Sequence, residues 1–124
     1  MIHAFLKSIS YLHLYSCKLI DRGLMYLYRH QFAGCGKKVV FYPTRSDLMY
    51  RNIYIGNDVF IGPGASFYAL ISRITIGDKV AFGPNVTIRG GNHSSHIIGK
   101  YLFDYQTRDK RPEDDQPVKI ENDV

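Results

Sequence analysis

From Met1 to about Gln31 the large apolar residues Phe5, Ile9, Leu12, Leu19, Leu24 and Leu27 recur at helical spacing, with no proline and a single glycine, Gly23. That pattern predicts a helix over residues 1–31, weakest at Gly23. Lys7, Lys18, Arg22 and Arg29 stand against one acid, Asp21. Two uses are open to a basic amphipathic helix of this kind. Its apolar stripe can cover a neighbouring core, or it can lie on a membrane interface. Lys7, Ser8, Ser10 and His13 interrupt the continuous apolar run that a secretory leader needs.

The pattern changes at Cys35. Ile53-Tyr-Ile-Gly-Asn-Asp-Val-Phe-Ile-Gly-Pro-Gly-Ala-Ser-Phe67 aligns with Ile74-Thr-Ile-Gly-Asp-Lys-Val-Ala-Phe-Gly-Pro-Asn-Val-Thr-Ile88 at an offset of 21 residues. A partial copy, Val118-Lys-Ile-Glu-Asn-Asp-Val124, and a weaker one from Cys35 to Phe41 follow the same scheme. Within each copy runs a period of six: Ile55, Ile61, Phe67, and again Ile76, Phe82, Ile88. Helix is excluded by the Gly-Pro pairs at 62–63 and 83–84. Hairpins would need period two and Asn-Gly or Asp-Gly turns, which are absent. Short strands turning a corner after each large inward residue satisfy the pattern. Successive coils then stack Cys35, Ile55, Ile76 and Ile120 in one ladder and Val39, Val59, Val80 and Val124 in another. Between Ile88 and Ile120 the repeat is broken by residues 89–119, a protruding loop long enough to be functional rather than connective.

Composition narrows the classes. At 124 residues the chain holds one domain, organised as a helical segment (1–31) and a repeat region (35–124) with the loop 89–119. No apolar run approaches the ~20 residues that cross a bilayer. A chain this short buries a modest share of its surface, so association of copies would stabilise it. A net charge of +5 suits anionic partners, but its dispersal argues against nucleic acid. Cys17 and Cys35 form no metal or redox pair, which points to a reducing, cytoplasmic setting.

The stretch Ile76-Gly-Asp-Lys-Val-Ala-Phe-Gly-Pro-Asn-Val-Thr-Ile-Arg-Gly-Gly-Asn-His93, with the repeats around it, resembles the hexapeptide-repeat acyltransferases. It is most similar to the O-acetyltransferases that modify sugars of capsule and lipopolysaccharide. The resemblance implies an all-β left-handed parallel β-helix, a homotrimer with sites between subunits, and acetyl-CoA as co-substrate. It implies a glycan-precursor acceptor, reached in the cytoplasm at the inner face of the membrane. It also implies further coils after Val124, which would carry most of the cofactor contacts, so residues 1–124 alone are expected to lack activity. In galactoside- and maltose-type relatives the turn near Gly64 carries acceptor-binding Asn residues. Here it reads Gly62-Pro63-Gly64, which favours the polysaccharide-modifying branch.

Transfer of an acetyl group to a sugar hydroxyl needs a base, because the alcohol is a poor nucleophile until its proton is being removed. Histidine is tuned for that near neutrality. The resemblance assigns the role to His93, with Asn92, Ser94 and Gly91 as acceptor or loop candidates. Gly90 and Gly91 allow a close backbone approach or an unusual turn. His3, His13, His30 and His96 have no comparable context, and no histidine lies in 31–92 to complete a metal site. Cys35 reads as packing, and the acids Asp104, Asp109, Glu113, Asp114 and Asp115 as a solvated loop surface. The competing reading is a non-catalytic β-helical fragment or interaction module that keeps the repeat without a complete site.

Overall fold

A computed structural model describes all residues, 1–124. Helix α1 (Ile2–Tyr28) runs unbroken through Gly23 and ends in a short 3-10 turn, Arg29–Gln31. Nine strands follow: β1 (Gly34–Cys35), β2 (Asp47–Leu48), β3 (Ile53–Ile55), β4 (Phe60–Ile61), β5 (Ser66–Tyr68), β6 (Ile74–Ile76), β7 (Ala81–Phe82), β8 (Thr87–Arg89) and β9 (Val118–Ile120). They form three parallel sheets, ordered β1-β3-β6-β9, β2-β5-β8 and β4-β7.

This corrects the expected all-β, left-handed parallel β-helix. The longest element is a 27-residue α-helix. The sheets are separate and small, with four, three and two strands, and no strand of one pairs with a strand of another. They do not close into a continuous β-helix. The physical reason lies in the corners, where each strand is cut after two or three residues. Lys38, Asp58, Lys79 and Asp123 adopt positive φ, a conformation that ends strand pairing.

The register within the sheets follows the repeat. Ile53 pairs with Ile74 and Ile55 with Ile76, and Ile76 then pairs with Ile120 across the long excursion. Cys35 joins the same ladder opposite Ile55. Burial pushes the Cys35 thiol up from its ordinary value, despite the opposing Arg29 charge, as befits packing rather than a reactive thiolate. Val39, Val59 and Val80 are buried and Val124 is exposed. Phe41, Ile53, Ile61, Phe67 and Ile74 are fully enclosed, so the core runs between the three sheets.

At one corner a ladder of side chains replaces strand pairing. The Lys37 N–H donates to Asn57 Oδ1 (2.8 Å), the Asn57 N–H to Asp78 Oδ1 (2.6 Å), and the Asp78 N–H to Asn122 Oδ1 (2.8 Å). Where the chain turns, these N–H groups have no strand partner, and the side-chain oxygens supply one. Gly56 sits beneath this ladder, where a Cβ would strike Asp78 Oδ1 and the Gly77 carbonyl.

The helix does not cap the core with its stripe. Within α1 only Asp21 is buried, and only Met25 packs on the core cluster. The Asp21 carboxylate accepts from Thr44 N–H (3.1 Å), Thr44 Oγ1 (2.6 Å) and Arg45 Nε (3.4 Å). This polar clasp, with Met25 on the core and the Tyr28 ring 5.3 Å from that of Tyr50, attaches the helix. No helix of the protein is long and apolar enough to cross a membrane.

Candidate functional site

The excursion that follows β8 is tied shut at its neck. The Gly90 N–H donates to the Tyr68 carbonyl (2.9 Å), and the Gly90 carbonyl accepts from the Gln116 N–H (2.6 Å). Gly91 bridges Asp115 in antiparallel sense, and the Asn92 N–H donates to the Asp114 carbonyl (3.1 Å). A Cβ on Gly91 would run into the Asp114 carbonyl oxygen. The two glycines are therefore needed for a close backbone approach, and the approaching backbone is the chain's own returning segment.

Asp115 locks this neck to the connection between β5 and β6. Its buried carboxylate accepts from Ile71 N–H (2.6 Å), Ser72 Oγ (2.7 Å) and Ser72 N–H (3.4 Å). Burial alone would raise its pKa, but the hydrogen bonds from Ile71 and Ser72 outweigh it and hold the carboxyl below the usual range. Asp114 accepts from Arg111 N–H (2.8 Å) and from Ser94 Oγ (2.8 Å), and these bonds depress its pKa as well. Asp109 is lowered by Lys100, 2.7 Å away, and by the Gln106 N–H. The reading of these acids as a solvated surface is corrected for Asp109, Asp114 and Asp115.

Between the excursion and the edge of β5 and β8 lies a cleft of about 320 Å³. His93 is the histidine on its wall, beside Asn92, Ser94 and Gly91, so the four residues singled out in the sequence converge. The imidazole is exposed, while its two neighbours are fixed to one residue. Asn92 is held through the Asp114 carbonyl and buried Ser94 through the Asp114 carboxylate. Ser94 thus spends its hydroxyl on positioning. The Asn92 carbonyl also accepts from Lys110 Nζ (2.9 Å).

Arg89 and Lys110 put positive charge on the cleft wall, and the Arg89 guanidinium stacks 5.1 Å from the Tyr68 ring centre. The Tyr68 hydroxyl donates to Asp47, and that bond pushes the phenol's pKa up. His96 lies outside this wall, half-buried, with Nδ1 4.0 Å from Asp114 Oδ2 and its ring edge-on to Tyr105 at 5.9 Å. No three His, Cys, Asp or Glu side chains converge where a metal ion could sit.

Sequence reasoning missed Arg89, Lys110 and the Asp114–Asp115 clamp. Asp109 and Asp114 each accept the backbone N–H three residues earlier, but Gln106 and Arg111 are not the Ser, Thr, Asp or Asn that would announce such a turn in the sequence. The arrangement offers an imidazole on an anchored backbone, two fixed cations and a concave wall: the parts for proton removal from a bound, anionic ligand. No protein-family model, curated protein or solved structure matches the chain.

Proposed function

We propose that the chain belongs to an acetyl-CoA-dependent O-acetyltransferase of the hexapeptide-repeat acyltransferase type, acting on a sugar hydroxyl of a cell-surface glycan precursor. The observation that carries this reading is the placement of His93. It stands on the cleft wall between two residues tied to Asp114, next to the cations Arg89 and Lys110. The repeat motif leading into Gly90-Gly91-Asn92-His93 supports the same reading from the sequence.

In this mechanism the His93 imidazole accepts the proton of the acceptor hydroxyl as its oxygen bonds to the thioester carbonyl carbon. The carbon–sulfur bond then breaks, and the proton passes from the imidazolium to the departing thiolate. Ester and free thiol are the products. Arg89 and Lys110 attract phosphate, whether on the acyl carrier or on a phosphorylated sugar. Such precursors are assembled in the cytoplasm at the inner membrane face, and the active form is a homotrimer.

The test uses the purified protein. Acetyl-CoA is supplied with glycan-precursor acceptors, thiol release is followed, and sedimentation gives the oligomeric state. His93→Ala is expected to lower the transfer rate by about 10²–10⁴, while acetyl-CoA affinity stays unchanged. A His93→Ala rate within a few-fold of the parent removes His93 from the chemistry. Absence of both transfer and acetyl-CoA binding identifies an interaction module instead.

A further inference from the structure

The attachment of α1 leaves its apolar stripe without a partner. At 3.6 residues per turn, Phe5, Ile9, Leu12, Leu19, Ile20 and Leu27 fall within an arc of about 100°. All six are exposed, Phe5 at 66% and Leu12 at 68%. Lys7, Lys18 and Arg22 project from the opposite side and are exposed too. Asp21 and Met25, which hold the helix to the sheets, also lie outside the stripe. The body therefore grips the helix at Asp21 and Met25, and of the stripe only Leu19 borders the cavity shared with Val40 and Phe41, while the other five residues point away from it.

We infer that α1 is an interfacial helix that lays this stripe into an anionic lipid surface, with the rest of the protein carried above it. Three observations select lipid over a second copy of the chain. First, Asp21 is the one acid in residues 1–31, and its charge is buried against Thr44 and Arg45. The exposed part of the helix is thus purely cationic, and copies packed side by side would repel where an anionic surface attracts. Second, the helix serines make no demand on a partner. Ser8, Ser10 and Ser16 donate to the Ala4, Lys7 and Leu12 carbonyls of their own helix, so no free hydroxyl donor enters the acyl region. Third, Tyr15 and Tyr26 border one edge of the stripe with exposed rings. Their apolar body and polar tip suit the headgroup boundary.

This inference is independent of the chemistry at the cleft, and so is its test. The intact chain is mixed with sedimenting vesicles of phosphatidylcholine alone, or of phosphatidylcholine with phosphatidylglycerol. The protein is expected to sediment with the anionic vesicles, to release at high salt, and to bind the neutral ones much more weakly. Ile9→Gln with Leu12→Gln should abolish sedimentation without moving the thermal midpoint, since neither side chain packs on the core. Replacing Lys7, Lys18 and Arg22 by Gln should weaken anionic-vesicle binding by about tenfold or more. Equal, salt-insensitive binding to both vesicle types would overturn the anionic specificity. Vesicle binding indifferent to the stripe variants would overturn the inference altogether. So would stripe variants that dissociate a stable oligomer of a protein that never binds vesicles, which would give the stripe to a second copy.

Discussion

Replacing Asp115 by Ala should open the neck of the excursion while leaving the sheets folded. Two short hydrogen bonds to an ionised acceptor are lost, from Ile71 N–H at 2.6 Å and Ser72 Oγ at 2.7 Å, together with a longer one from Ser72 N–H at 3.4 Å. Bonds to charged groups contribute about 1.5–3 kcal/mol each. Ile71 is partly exposed, so water compensates some of the loss, and a net cost of about 3 kcal/mol is expected. That is a large fraction of the stability of a small domain. It should appear as local opening, because the clamp joins residues 71–72 to 115 and touches no strand. Amide hydrogen exchange read by NMR separates local from global effects. Gln116 N–H, bonded to the Gly90 carbonyl, and Asn92 N–H, bonded to the Asp114 carbonyl, should exchange about 10²-fold faster. Gly56 N–H, bonded to the Ile76 carbonyl between β3 and β6, should keep its protection. Asp115→Asn retains one acceptor and should cost nearer 1 kcal/mol. Unchanged exchange at Gln116 and Asn92 would refute the clamp. Equal acceleration at Gly56 would show that the excursion and sheets unfold as one unit.

Acid should act on the same neck. Asp109, Asp114 and Asp115 are all held below the ordinary carboxylate range, so their contribution is complete above about pH 4 and is lost as pH falls through the folded-state values; the Gln116 and Asn92 amides should report opening in acid before the strand amides do. Gly56→Ala places a Cβ against the Gly77 carbonyl and should cost about 1–3 kcal/mol by urea denaturation, whereas Gly83→Ala, which meets open space, should be nearly silent. Asp21→Ala removes the acceptor for Thr44 and Arg45 and should release the helix at a cost of about 2 kcal/mol, seen as faster proteolysis between residues 29 and 45; a cleavage rate equal to the parent's would show that Met25 packing suffices.

The parts legible in the sequence were those carried by periodicity. The offset of 21 residues specified which isoleucines pair, because a parallel register is set by matching inward side chains, and Ile53–Ile74 and Ile55–Ile76 pair accordingly. The helix over residues 2–28 and the excursion after Ile88 were legible for the same reason, one as a helical period and one as a period interrupted. Periodicity also suggested too much. With the stacked coils it predicted came the family resemblance, which implied a continuous left-handed β-helix, whereas positive φ at the corners and strands of two or three residues leave three small separate sheets beside a long helix. Gly91, Asn92, His93 and Ser94 line one cleft because they are consecutive, whereas the clamp that holds them was not legible. Asp115 meets Ile71 across 44 residues, and no local pattern encodes a contact of that separation. The direction of the apolar stripe was likewise beyond the sequence. An amphipathic pattern states that one face avoids water, and only the bonds from Thr44 and Arg45 to Asp21 decide that this face points away from the protein's own core.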